Sequence, residues 1–75
     1  MKFTKKTNDT STICKVWNDD KSKCYGVVGT VGDLLQADIL SWCDYSPTPY
    51  AFIGVNGQTN RFGKDKEEAC AEIKE

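Results

Sequence analysis

Histidine is absent from this sequence, and with it the side chain that enzymes use most often as a general base. Ser-His and Cys-His nucleophilic pairs and histidine metal sites are therefore excluded. The glycines within residues 26–32 do not follow the GxGxxG or GxxxxGK patterns that cradle phosphate groups. We expect a protein that is not an enzyme, with no catalytic residue and no cofactor.

Closely spaced cysteine pairs are lacking too. The four cysteines, Cys14, Cys24, Cys43 and Cys70, stand alone in the sequence, whereas zinc sites normally use CxxC-type pairs. No metal site is expected, and free thiols are predicted at all four positions. The alternative is one disulfide between Cys14 and Cys24, which requires that they face each other across a hairpin.

Long apolar runs are also missing. Residues 1–10 carry lysines with no apolar stretch behind them, so neither a secretory signal nor a membrane span is predicted. We expect a cytoplasmic protein with reduced cysteines and no membrane partner. The polar residues 1–10 are predicted to form a flexible basic arm, and residues 11–75 a single small domain.

Net charge is low, at −1, but the charges are unevenly placed. Residues 1–32 hold six lysines against three aspartates, while residues 33–44 hold three aspartates and no cation. This balance is too even to predict general nucleic-acid binding.

One clear amphipathic helix is predicted, from Thr30 to Cys43. Thr30, followed three residues later by Asp33, resembles a weakened capping box at its start. One side of this helix is expected to be a buried apolar stripe, which only Asp38 interrupts. Its members are Val31, Leu34, Leu35, Ile39, Trp42 and Cys43.

A first hairpin is predicted ahead of this helix. Residues 11–17 (STICKVW) and residues 24–31 (CYGVVGTV) have strand composition, and turn residues separate them. Two registers are open: one places Ile13, Trp17, Tyr25 and Val27 on the same face, and the other groups Ile13 and Trp17 with Val28.

A second hairpin is predicted around Asn56-Gly57, the preferred two-residue type I′ turn. This turn sets Val55 opposite Gln58, Ile53 opposite Asn60 and Ala51 opposite Phe62. We expect a core side and an open side. The expected core side holds Ala51, Ile53, Val55 and Phe62, and the expected open side holds Tyr50, Phe52, Gly54, Thr59 and Arg61.

Residues 64–75 read as a terminal helix with Ala69, Cys70 and Ile73 turned inward. The predicted fold is thus α+β, in the order ββαββα. It is a four-stranded antiparallel sheet with both helices on one face.

The sequence has more aromatic residues than so small a core needs, and this surplus gives the only candidate site. Arg61 is expected directly across from Phe52, with Tyr50 beside them, and aromatic side chains next to an arginine are typical of interface anchors. Trp17 and Tyr45 complete the candidate binding residues.

Two classes of function remain. The first is a protein-binding module that inhibits or regulates a larger host complex, as small proteins of phages and mobile elements do. That comparison is one of size and composition alone. The alternative is a nucleic-acid-binding domain that uses the basic arm and an aromatic sheet face. The oligomeric state is left open.

Overall fold

The computed structural model describes residues 1–5, 11–40 and 50–73 of the chain. Seven short elements follow one another in these residues: β1 (Lys2–Lys5), β2 (Cys14–Trp17), β3 (Cys24–Thr30), α1 (Val31–Gln36), β4 (Tyr50–Gly54), β5 (Arg61–Gly63) and α2 (Lys66–Ala69). They build a small α+β domain with a radius of gyration of 11.3 Å. The expected α+β class is confirmed.

The sheet has five antiparallel strands in the order β1-β2-β3-β4-β5, so the expected number of four is corrected. The additional strand, β1, comes from residues that were expected to belong to the N-terminal arm. Its central residues Phe3 and Thr4 lie opposite Val16 and Lys15 of β2. Residues 6–10 lie outside the described part of the chain.

The first hairpin pairs β2 with β3 as predicted, but neither predicted register holds completely. A β-bulge follows Val16, which lies opposite Gly26, so that Trp17 lies opposite Cys24 and Tyr25 is the additional residue. Tyr25 is consequently buried on the opposite side of the sheet from Val27.

The register of this hairpin also decides the question of a disulfide. Cys14 lies opposite Val28, whereas Cys24 lies opposite Trp17. Cys14, Cys24 and Cys70 are free thiols, and Cys43 is outside the described residues.

The second hairpin has the predicted register. Asn56 and Gly57 both take positive φ, 55° and 89°, as a type I′ turn requires. The Gln58 amide donates to the Val55 carbonyl at 3.2 Å. Ala51 then lies opposite Phe62, as expected from the turn.

Helix α1 begins as predicted but is much shorter. The Thr30 hydroxyl accepts a hydrogen bond from the Asp33 amide at 3.3 Å and caps the first turn. The helix ends after Gln36 because Asp38 takes a left-handed φ of 63°. The Ile39 amide then donates to the Leu34 carbonyl at 3.0 Å, the bond that closes a Schellman motif.

The predicted stripe of this helix is correct only in its first turn. Val31 and Leu34 are fully buried, whereas Leu35 is 37% exposed. The prediction of a helix up to Cys43 fails from Ala37 to Leu40, and residues 41–43 lie outside the described part.

Helix α2 is likewise a single turn, Lys66–Ala69, capped by the Asp65 carboxylate, which accepts from the Glu68 amide at 2.8 Å. Ala69 and Cys70 are buried, and Ile73 packs against the same cluster. Their predicted inward direction is confirmed.

The two helices lie on opposite faces of the sheet, which corrects the prediction that they share one. Helix α1 contributes Val31 and Leu34 to a cluster with Ala51 of β4. The residues around α2 form a second cluster with Phe52, the next residue of β4, whose side chain points to the other face. We call these two sides the α1 face and the α2 face.

None of the helices within residues 1–5, 11–40 and 50–73 has the length and apolar character needed to cross a membrane.

Candidate functional site

The expected open face of Tyr50, Phe52 and Arg61 is covered. The three residues do share a side, and Arg61 lies directly opposite Phe52 as predicted. That side is the α2 face, however. Phe52 is only 1% exposed, and Tyr50 packs half-buried against the same cluster, so the expectation that they form an accessible patch is wrong.

Arg61 remains exposed, but its guanidinium is engaged. Its Nη2 lies 2.7 Å from Oε1 of Glu72, beyond the end of α2. The arginine thus joins β5 to the C-terminal segment, and the surface ion pair is worth about 1 kcal/mol or less. Tyr45, another candidate, is outside the described residues.

Accessible apolar side chains lie on the α1 face instead. Val27 lies opposite Ile53 in the sheet, and both are half-buried at the edge of the α1 cluster. Val55, two residues further along the chain, is 43% exposed. Phe62, opposite Ala51, is 38% exposed and neighbours Ile53 diagonally.

Trp17 extends this row of apolar side chains across β2. Its indole Nε1 donates to the Thr4 hydroxyl at 2.9 Å, which fixes the ring on the α1 face. The Nζ of Lys15 stands 6.0 Å from the ring centroid, at the limit of a cation–π contact. We call the set of Trp17, Val27, Ile53, Val55 and Phe62 the α1-face strip.

Trp17 is one of the binding residues predicted from the sequence, whereas Ile53, Val55 and Phe62 are predicted to lie on the core side. Their common side follows from the Asn56-Gly57 turn and is confirmed. The difference lies in coverage, because within the described residues α1 packs Val31 and Leu34 at the end of this face that holds Ala51. Val27 is not among the predicted binding residues, although one of the two open registers places it on the face of Trp17. Its position opposite Ile53 depends on the pairing of β3 with β4.

Positive charge borders the strip. The charged residues that the described strands place on the α1 face are Lys2 and Lys15, since β1 and β2 pair so that Lys2 lies opposite Trp17. Asp33 also lies on this side, at the start of α1. Its Oδ2 is engaged by the Thr12 hydroxyl at 2.6 Å and by the Thr12 amide at 3.0 Å.

The Asp33 contacts are structural in character. The hydrogen bonds from the Thr12 hydroxyl and then the Thr12 amide hold the pKa of the Asp33 carboxyl below its ordinary value of 3.8. Thr12 in turn accepts a bond from the Thr30 amide at 3.0 Å. This network ties the residues before β2 to the start of α1.

The Cys70 thiol has low nucleophilic reactivity. Burial, aided by the negative charge of Glu67, raises the pKa of the Cys70 thiol to about 11, so the nucleophilic thiolate is scarce at neutral pH. Across residues 1–5, 11–40 and 50–73, no three cysteine or acidic side chains are grouped to hold a metal ion.

No family model, curated protein or solved structure matches this chain.

Proposed function

We propose that this protein is a binding module that acts on a protein partner through the α1-face strip. The observation that carries the proposal is the continuity of the strip. Val27, Ile53 and Val55 adjoin one another across β3 and β4, and they remain partly exposed although Val31 and Leu34 beside them are fully buried. Isolated exposed apolar residues are common, but a contiguous group bordered by polar residues is typical of an interaction site.

Trp17 adds the residue type most often found as an energetic anchor of interfaces. Its ring is held in one orientation by Thr4, so little side-chain entropy is lost when a partner packs on it.

The charges indicate the chemistry of the partner. Lys2 and Lys15 border the strip near β1, so a partner surface with apolar side chains and neighbouring carboxylates fits it best. Such a module works by occupying a surface, as an inhibitor or regulator of a larger complex does.

Nucleic-acid binding is a second candidate, because Lys15 stands over the ring of the half-buried Trp17. Salt dependence separates the two. Phosphate contacts release counterions, so binding to single-stranded DNA would weaken steeply between about 50 and 200 mM salt. Binding through an apolar strip changes much less.

The experiment is affinity capture with matched variants, followed by measurement of the purified pair. Val55→Glu places a charge in the strip, and Ala71→Glu makes the same kind of change at an exposed position beyond α2. A partner captured from nuclease-treated lysate should bind the wild type and Ala71→Glu alike. It should bind Val55→Glu at least about ten-fold more weakly, a loss of about 1.4 kcal/mol.

A partner that binds Val55→Glu as well as the wild type would place binding elsewhere. Binding that disappears on nuclease treatment would favour the second candidate.

A further inference from the structure

Strand β1 forms one end of the sheet. Its inner edge pairs with β2, and within the described residues no strand pairs with its outer edge. The unpaired N–H and C=O groups of such an edge are a template for an added strand.

The pattern of hydrogen bonds between the strands determines which backbone N–H and C=O groups of β1 point away from the sheet. The Thr30 amide donates to Thr12, on the β2 side of β3, and alternation therefore turns the backbone groups of Val28 to the same side. Val28 lies opposite Cys14, whose groups point back to β3. The groups of the next residue, Lys15, consequently point to β1.

Lys15 lies opposite Thr4, so the N–H and C=O of Thr4 point inwards, to β2. The backbone groups of its neighbours Phe3 and Lys5 therefore point away from the sheet. Two residues of β1 thus present outward donors and acceptors at the spacing that a further strand uses.

The two charged side chains of β1 are both positive. Lys2 and Lys5 are exposed, and the Nζ of Lys66 stands 4.5 Å from the centroid of the Phe3 ring on the α2 face. The Lys5 Nζ donates to the Ser11 carbonyl at 2.6 Å and has two further protons available. An acidic strand beside β1 would meet these cations on both faces of the sheet.

We propose that the outer edge of β1 accepts an extended, acidic segment of another protein by strand addition. The backbone groups of Phe3 and Lys5 supply the hydrogen bonds, and Lys2, Lys5 and Lys66 select for carboxylates. This surface is separate from the α1-face strip, and the proposal does not depend on binding there.

A second copy of the chain fits this edge poorly. Pairing two β1 strands would bring Lys2 and Lys5 of one copy beside those of the other, and like charges next to each other in a sheet are destabilising. Lysines on an edge strand thus exclude self-pairing while they attract an acidic strand.

The test uses NMR measurement of amide–water exchange in the full chain at low salt. The probe is a capped peptide of alternating glutamate and valine, and the control is its lysine–valine counterpart. With the acidic peptide at about ten times its Kd, the exchange of the Phe3 and Lys5 amides should slow about ten-fold. The Thr4 amide, which points to β2, should change little.

Two variants of Lys5 separate the contribution of its charge to peptide binding from that of its backbone N–H. Lys5→Gln removes the charge and keeps the outward N–H, so binding should weaken about two- to five-fold. Lys5→Pro removes the N–H as well, and slowing of Phe3 exchange by the peptide should disappear. The spectrum of Lys5→Pro without peptide checks that the sheet is intact.

Three results would overturn the proposal. They are unchanged exchange at Phe3 and Lys5, equal slowing by the lysine–valine peptide, and slowing by an oligothymidine but not by the acidic peptide. Loss of binding to the α1-face strip in Val55→Glu should leave the peptide response unchanged, so the two proposals fail independently.

Discussion

The ring of Phe52 packs against the backbone of Gly26. A Cβ at residue 26 would stand 2.9 Å from Cε1 of the ring and 2.2 Å from the Ile53 carbonyl oxygen, closer than atoms approach in folded proteins. Gly26 also has a φ of 152° and lies opposite Gly54. Gly26 leaves the space that the phenyl ring fills, and the α2 face therefore has a core of its own.

Phe52→Ala should be more damaging than Ile53→Ala. Phe52 is 1% exposed, so its truncation should cost about 3–5 kcal/mol of unfolding free energy through the cavity it leaves. Ile53 is half-buried, so Ile53→Ala should cost only roughly 1–2 kcal/mol of unfolding free energy. Urea unfolding of both variants measures which of the two losses of unfolding free energy is larger. A larger loss for Ile53→Ala would mean that the α2 face is not the better-covered side.

Gly26→Ala should destabilise the fold far more than Gly57→Ala. Both positions have positive φ, which costs a non-glycine residue about 1–3 kcal/mol. Only residue 26 also meets close neighbours, since nothing lies within 4 Å of a Cβ at residue 57. The expected difference is about 1–3 kcal/mol, first from the clash with the Ile53 carbonyl oxygen and then from overpacking against the Phe52 ring. Equal losses in thermal or urea melts would show that the β4 backbone and the Phe52 ring both move aside freely.

The Asp33 network should make stability depend on pH in the acid range. Its carboxyl has a folded-state pKa below 3.8, so the ionised form is stabilised by folding. This contribution is complete above the unfolded pKa and is lost as pH falls through the folded pKa. Asp33→Asn should therefore be less stable than the wild type at pH 6, and the gap should narrow below about pH 4.

Denaturant melts of both proteins from pH 2 to 6 measure that gap. Hydrogen bonding to Ser22 lowers the pKa of Asp20 as well, but Asp20 is present in both proteins and its effect cancels in the comparison. A gap that stays constant down to pH 2 would show that the Thr12 contacts do not depend on the charge of Asp33.

Alkylation should distinguish the cysteines. Cys24 is half-exposed, whereas Cys70 is 2% exposed and burial raises the pKa of its thiol to about 11. At pH 8 iodoacetamide should modify Cys24 at least about ten-fold faster than Cys70, because attack requires both access and thiolate. Peptide mapping by mass spectrometry gives each rate, and similar rates in native protein would contradict the burial of Cys70.

Local signals in the sequence were sufficient for turns and caps. Asn56-Gly57 gave the register of the second hairpin, and Thr30 gave the start of α1, because these features depend on a few adjacent residues. The end of α1 was missed since it depends on the left-handed backbone of Asp38, a residue that also fits a helix.

The accessible face of the sheet was predicted wrongly for a physical reason. Strand β4 is apolar on both sides, so its alternation shows which side chains point together but not which face is better covered. That depends on the position of α2 and on the room left by Gly26, both of which are tertiary properties. Strand β1 was missed because four residues with two lysines give no strand pattern of their own.

The central claim, that the α1-face strip binds a protein, is tested most directly by photo-crosslinking from within it. A benzophenone amino acid at position 55 should form a defined adduct with one protein, and Lys15→Glu should reduce its yield. The same group at position 71, beyond α2, should not form that adduct. The purified partner should then bind the unmodified chain with a Kd that Val55→Glu raises at least about ten-fold. Adducts of equal yield from positions 55 and 71, or adducts with nucleic acid alone, would contradict the account.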